Sequence, residues 1–206
     1  MCWPVAYVYD PLMAGLERRY GATWRRELLA GLSGRVLEIG AGTGANLDHY
    51  PDSVDHVVLA EPDRAMRSQL ERKLARSALR GRATVSDAPV EALGEALGSF
   101  DAVVSTLVLC TVPDPSAALG AVRERLVSGG RFLFLEHVAA DEDANALAWQ
   151  ERLDPLWRRV AGGCRLARRT AATIASAGFA FERIDRTVIP RAPRILKTLV
   201  RGVAIR

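Results

Sequence analysis

Apolar residues along this chain fall into short runs separated by longer amphipathic stretches. The first run, Val36, Leu37 and Ile39, reads as a strand buried on both faces, the signature of a parallel sheet. Similar runs at 56–60, 83–86, 100–110, 131–136, 179–190 and 199–205 predict six more strands. Between them, 3.6-residue periodicity predicts helices over 62–79, 88–97, from about 115 to 127, 143–160 and 168–177, with Pro155 as a kink in the fourth. A further helix over 14–30, closed by Gly31, precedes the first strand. Seven strands alternating with helices predict an α/β fold: a doubly wound seven-stranded sheet with helices on both faces. Residues 1–33 read as a helical cap or lid on a single domain spanning 34–206.

The first strand runs into E-I-G-A-G-T-G-A-N, with Gly40, Gly42 and Gly44 alternating. Such glycines permit a tight turn and close approach of backbone N–H groups to a ligand, and a helix expected over 45–49 would aim its N-terminus at that ligand. Strand, glycine turn and helix form the first unit of a Rossmann-like nucleotide site. With Ala45 in last place the pattern also satisfies G-x-G-x-x-[G/A], so a dinucleotide, and with it an NAD-dependent oxidoreductase, stays open on pattern alone. Glu38 points elsewhere. A carboxylate beside the turn repels a pyrophosphate but suits S-adenosylmethionine, which carries a sulfonium and an ammonium and no phosphate. Glu61, about twenty residues past Gly40 at the tip of the second strand, is placed to bind ribose hydroxyls, and Pro62 then opens a helix. Asp87, at the tip of the third strand, either accepts from the adenine amino group or caps the next helix.

Composition bounds the rest. Of 206 residues, 49% are apolar and 25% charged, ordinary for a soluble domain, and no apolar run approaches the ~20 residues that span a bilayer. The first ten residues lack a basic region and a small-residue cleavage site, so no signal peptide is expected. Cys2, Cys110 and Cys164 give neither a disulfide framework nor metal-ligand spacing, so a reducing cytoplasm is expected and a metal is not. The net charge of +4 is uneven: residues 1–151 hold 15 Lys+Arg against 21 Asp+Glu, and residues 152–206 hold 13 against 3. The basic residues are scattered rather than blocked, which favours a solvated face over an anionic partner.

For the chemistry of methyl transfer, one histidine is well placed. His137 lies just past the fifth strand, where the ligand crevice of such a sheet opens, and is the candidate general base; a plain hydrogen-bonding role is the alternative. His49 and His56 lie on the far side and read as structural. Asp154 would orient His137 or the acceptor, or pair with Arg158 or Arg159. Trp149 and Trp157 would wall an apolar acceptor pocket or pack in the core. Tyr9, with Asp10, would face the site from the N-terminal lid, and Cys110 and Arg165 complete the acceptor side.

Three further stretches carry a family resemblance: S-T-L-V-L-C-T-V-P-D-P, L-V-S-G-G-R-F-L-F-L-E-H-V-A-A and W-Q-E-R-L-D-P-L-W-R-R-V-A-G-G-C. With the glycine turn they resemble the type-11 class I methyltransferases, and within these the thiol methyltransferase-like branch. The resemblance implies S-adenosylmethionine as methyl donor, leaving S-adenosylhomocysteine. It implies that Glu38, Gly40, Ala41, Gly42, Gly44 and Asn46 cradle the methionine part, Glu61 and Pro62 the ribose, Asp87 and Ala88 the adenine, and Thr106 and Leu107 the methyl end. It implies a small thiol as acceptor; N- or O-transfer to a lipid amine, quinone or natural product is the alternative, and a non-catalytic adenosylmethionine-binding partner is a third reading. Bacterial members often read G-G-C-H followed by R-D-T; this chain has Gly162-Gly163-Cys164-Arg165 and then Arg168-Arg169-Thr170, which puts any role of that histidine or aspartate in doubt. Mammalian members carry a hydrophobic N-terminal anchor not read here, so a cytoplasmic enzyme without stable membrane insertion is expected, as monomer or homodimer. No [N/D]-P-P-[Y/F] motif follows the fourth strand and there is no Pro-Cys nucleophile, so nucleic acid is not an expected substrate.

Overall fold

A computed structural model describes residue 15 and residues 17–190 and 192–206; Tyr9 and Asp10 lie outside them. Seven strands, β1 (Gly34–Ile39), β2 (Val54–Ala60), β3 (Ala83–Ser86), β4 (Phe100–Thr106), β5 (Leu126–His137), β6 (Ala180–Val188) and β7 (Thr198–Ile205), form one sheet in the order β3-β2-β1-β4-β5-β7-β6. β1 to β5 run parallel, and β7 is inserted antiparallel between β5 and β6. The order reverses at β1, whose neighbours are β2 and β4. That reversal opens the crevice at the strand C-termini in which such sheets bind ligands.

The buried faces of β1 explain its apolar run. Leu37 and Ile39 pack into one core, with Phe100, Phe132, Phe134 and Phe179; Val36 packs into the other, with Leu28, Leu29, Leu59 and Leu135. Neighbouring side chains on a strand point to opposite faces, so a strand covered on both sides needs apolar residues throughout. The covering helices are α1 (Ala22–Leu29), preceded by a wider turn over Glu17–Gly21, α2 (Arg64–Leu74), α3 (Pro115–Arg125), α4 (Ala144–Val160) and α5 (Thr170–Ser176). Asp63, Asp114 and Asp143 cap α2, α3 and α4 by accepting backbone N–H bonds from the first turn, each worth about 1 kcal/mol.

Several predicted elements change. The helix expected after the glycine turn is only a 3₁₀ turn, Leu47–His49, and the one expected over 88–97 is two such turns, Val90–Ala92 and Glu95–Leu97. Both stretches are interrupted by residues poor in helix propensity, Asn46 and Asp48 in one and Pro89 and Gly94 in the other. The helix predicted from Pro62 begins two residues later, because the Asp63 side chain takes the cap. α4 runs through Pro155. Among the described residues no helix is long and apolar enough to cross a membrane.

Candidate active site

The glycine turn leaves β1 with Gly40 at φ 58° and Gly42 at φ 58°, both in the left-handed region that favours glycine. The two serve different ends. A Cβ on Gly40 would sit 2.6 Å from the Val108 side chain, so Gly40 lets the loop after β4 close on the turn. A Cβ on Gly42 would meet nothing nearer than 3.9 Å, so at Gly42 the backbone conformation alone demands glycine and the turn's surface stays open. Beside it, the Glu61 carboxylate accepts from Gly42 N–H at 2.8 Å and from Asp63 N–H at 2.8 Å. Burial raises its pKa, while these two backbone bonds oppose the rise. An open backbone cradle flanked by carboxylates fits a cationic, phosphate-free nucleoside and not a pyrophosphate.

Beneath the turn lies a buried polar cluster. Glu38, 2% exposed, accepts from Asn46 Nδ2 at 2.8 Å and from the Tyr50 hydroxyl at 2.6 Å. Asn46 Nδ2 also donates to Thr106 Oγ1 at 3.1 Å. Arg25, reaching in from α1 and only 5% exposed, donates to Asn46 Oδ1 at 2.9 Å and Thr106 Oγ1 at 2.8 Å. Desolvation lifts the Glu38 carboxyl from 4.5 to about 7 against the pull of Tyr50, Asn46 and Arg25. Burial, then the neighbouring Glu38, pushes the Tyr50 phenol well above its ordinary value. The cluster thus ties the N-terminal helix to the ends of β1 and β4. Arg25 and Tyr50 were not anticipated from the sequence.

A second unanticipated carboxylate organises the other wall. Glu136, fully buried at the end of β5, accepts from Ser105 Oγ at 2.7 Å and from the Val108 and Cys110 N–H groups at 3.1 Å each. Desolvation raises its pKa while these donors oppose the rise. Arg168 braces the same loop by donating to the Leu109 and Val112 carbonyls at 2.5 and 2.8 Å. Within the loop Leu107 is held at φ 61°, the one non-glycine residue with positive φ among those described, its N–H bonded to Leu135 O at 2.7 Å. A leucine in that region costs about 1–2 kcal/mol, sustained here by the surrounding bonds.

The expected acceptor-side residues separate. His137 is 6% exposed; its Nε2 lies 3.2 Å from Ile195 O, which fixes the proton on Nε2 in the neutral ring and leaves Nδ1 as the basic nitrogen. Nδ1 is buried without a hydrogen-bond partner. Asp154 does not contact that ring through any hydrogen bond; its carboxylate accepts from Leu166 N–H at 2.7 Å and braces the segment after α4. Trp157 is half-buried with an unpartnered indole N–H, but Trp149 is 54% exposed beside Arg152 and walls no enclosed pocket. Arg165 and Asp87 are both exposed. Asp87 caps no helix, because the turn that follows starts at Pro89 with no side-chain cap. His56 bonds Thr84 across the sheet edge, a structural role.

Reversal at β1, a glycine cradle and carboxylates at the tips of β1 and β2 define a class I methyltransferase site. A model of the methyltransferase domain matches residues 13–177, and the chain belongs to that family of S-adenosylmethionine-dependent enzymes. Within it the chain joins the thiol S-methyltransferase branch. It is 36% identical over 207 residues to human thiol S-methyltransferase TMT1B, covering 92% of this chain and 83% of the relative, and 32% identical over 206 residues to human TMT1A, covering 97% and 82%. Among solved structures, the N-methyltransferase NodS from Bradyrhizobium japonicum WM9 shares the fold, with a TM-score of 0.65, 16% identity, and 92% and 95% of the two chains covered.

Proposed function

We propose that this enzyme methylates the sulfur of a small, largely apolar thiol, using the residues around the glycine turn to hold the donor. The observation that carries the donor assignment is the pairing of the open Gly42 backbone with Glu61 beside it and Glu38 beneath. When bound, S-adenosylmethionine supplies an electrophilic methyl on a sulfonium. In this reading Gly40, Ala41, Gly42, Gly44 and Asn46 receive its methionine part, with Glu38 beneath; Glu61 and Pro62 receive the ribose, Asp87 and Ala88 the adenine, and Thr106 and Leu107 border the methyl.

The protein's own contribution is positioning. Glu136 and Arg168 fix the loop bearing Leu107 so that an acceptor can be held in line with the methyl, and alignment of this kind supplies most of the rate in such displacements. A thiol of pKa about 8.5 is partly ionised near neutrality and needs little further activation. His137 Nδ1 is the nitrogen able to take its proton. The thiol relatives cover most of this chain, which favours sulfur over nitrogen or oxygen as the acceptor atom. Residues 1–33 are then a cap or lid on the domain 34–206, and a cytoplasmic location and a monomeric or homodimeric state complete the reading.

A panel of thiols, amines and phenols incubated with labelled methyl donor tests it. Label transfer to thiols is the expected result; transfer to an amine or phenol and to no thiol would sink the acceptor assignment while leaving the methyltransferase intact. Glu61→Ala, in a folded protein, should weaken donor binding by about 1–3 kcal/mol through lost hydrogen bonds to a charged group.

A further inference from the structure

The loop after β4 and the segment after α4 touch at two points. Arg165 N–H donates to Cys110 O at 2.8 Å, and a Cβ on Gly163 would lie 3.1 Å from Thr111 O. Cys110 and Cys164 therefore sit where the two backbones meet, and both are free thiols, Cys110 buried and Cys164 partly exposed. Each thiol influences the ionisation of the other. Two buried ring nitrogens, His137 Nδ1 and Trp157 Nε1, have no other hydrogen-bond partner, and both side chains favour the Cys164 thiolate, the His137 ring by taking up a proton at Nδ1. The Cys110 hydrogen bond, followed by the His137 ring, lowers the Cys164 pKa to about 5, whereas the bond to Cys164, burial and Glu136 raise that of Cys110. An ionised, accessible cysteine backed by a protonated, buried one is the arrangement of an attacking and a resolving thiol. Methyl transfer as described above employs neither sulfur.

We propose that Cys164 and Cys110 form a thiol–disulfide exchange site for low-molecular-weight disulfides. The Cys164 thiolate attacks one sulfur of a disulfide RSSR; a mixed disulfide forms and RS⁻ leaves, taking a proton from solvent. Cys110 passes its proton to the adjacent Glu136 carboxylate and attacks the Cys164 sulfur, forming the Cys110–Cys164 bond and expelling the second RS⁻, which becomes RSH as Glu136 gives up that proton. Two electrons leave the cysteine pair and reduce RSSR to two thiols; an external thiol reverses the exchange. The closed bond ties the loop carrying Leu107 to the end of α4. This inference stands on the cysteine geometry and not on the identity of the methyl acceptor, and its test reads thiols and not methyl groups.

The test uses the full chain with Cys2→Ser, reduced, then mixed with oxidised glutathione, quenched in acid, alkylated and weighed. Cys110 and Cys164 should lose alkylation together, with two glutathiones released per chain. Cys110→Ser should stop at one glutathione on Cys164, and Cys164→Ser should slow reaction at Cys110 at least tenfold. The groups facing Cys164 are Cys110, His137, Arg168 and, through Cys110, Glu136; Arg165 next in the chain points to solvent. With Cys110 present and Cys164 ionised, the initial rate of the Cys2→Ser chain should change less than about threefold between pH 6 and 8, where an ordinary thiol accelerates close to a hundredfold. Should Cys110→Ser not fold, limited alkylation of the reduced Cys2→Ser chain decides instead, with Cys164 modified before Cys110. Glutathione on Cys110 at an undiminished rate without Cys164, a steep pH dependence, or Cys110 alkylated first would overturn the proposal.

Discussion

The Tyr50 hydroxyl donates to Glu38 Oε2 at 2.6 Å, from the far side of the glycine turn that Glu38 precedes. The bond closes the turn into a ring of side chains around a carboxyl whose burial outweighs the donors that favour its charge. The chain's pH behaviour follows from that arrangement.

Without cofactor, the contribution of Glu38 to stability should fall as pH rises from about 4.5 to about 7. Glu38 has its folded pKa above its unfolded value, so its contribution is complete below 4.5 and lost on the approach to 7. The fall is on the order of 3 kcal/mol at 1.36 kcal/mol per unit. Because the low-pKa Cys164 works in the opposite sense, the Glu38 contribution is read as a difference: from pH 5 to 7.5 the denaturant midpoint of wild type should fall relative to that of Glu38→Gln, and parallel curves would count against Glu38 as its source.

Binding of a cationic donor should release protons. A positive ligand over the turn favours the Glu38 carboxylate, so calorimetry at pH 6.5 in buffers of different ionisation enthalpy should report proton release in wild type and little in Glu38→Gln. Equal release in both proteins would place the cation elsewhere.

Arg25→Ala should weaken the site from a helix outside the sheet. It strips donors from Asn46 Oδ1 and Thr106 Oγ1, both buried, at a cost of about 2 kcal/mol or more. Lysine, lacking the planar fork, should rescue poorly. Thermal melts with and without donor measure both the stability and the binding.

Glu136→Gln should separate binding from turnover. The carboxylate holds Val108 and Cys110 N–H, and an amide cannot offer both oxygens to them. Donor affinity should stay within about threefold while kcat drops about tenfold or more, the loss of one charge-assisted bond to the loop. A KM-only change would assign Glu136 to ground-state binding.

Leu107→Gly should cost less stability than Leu107→Ala. Glycine relieves the positive φ at the expense of unfolded-chain entropy, and alanine keeps the strain while losing contacts. The glycine variant should remain within about 1 kcal/mol of wild type by denaturant unfolding.

The sheet and the first half of the site were legible in the sequence because G-x-G-x-G after an apolar run fixes where β1 ends, which sets Glu38 and Glu61 in place. Arg25 was not legible: it stands beside Arg26 in α1, and only packing decides which of the two turns inward. Glu136 did leave a signal. An acid directly after F-L-F-L repeats the logic of Glu38 after V-L, a carboxylate at the tip of a buried strand, but the adjacent histidine drew the chemical reading. Trp149 misled because α4 carries apolar residues on its outer side as well, with Leu156 and Val160 also exposed.

The antiparallel insertion of β7 has a kinetic meaning. β5 carries Glu136 and His137, and its outer edge is covered only by β7, with His137 opposite Leu199. The pairs β1·β2, β2·β3 and β4·β5 join strands close in sequence, whereas β1·β4 and β5·β7 join strands far apart, and such distant pairings form late. A chain holding only its local strand pairs would own neither a complete donor cradle, which needs Thr106 and Val108 against β1, nor the wall that presents an acceptor, so on refolding the binding of labelled donor and turnover should return together.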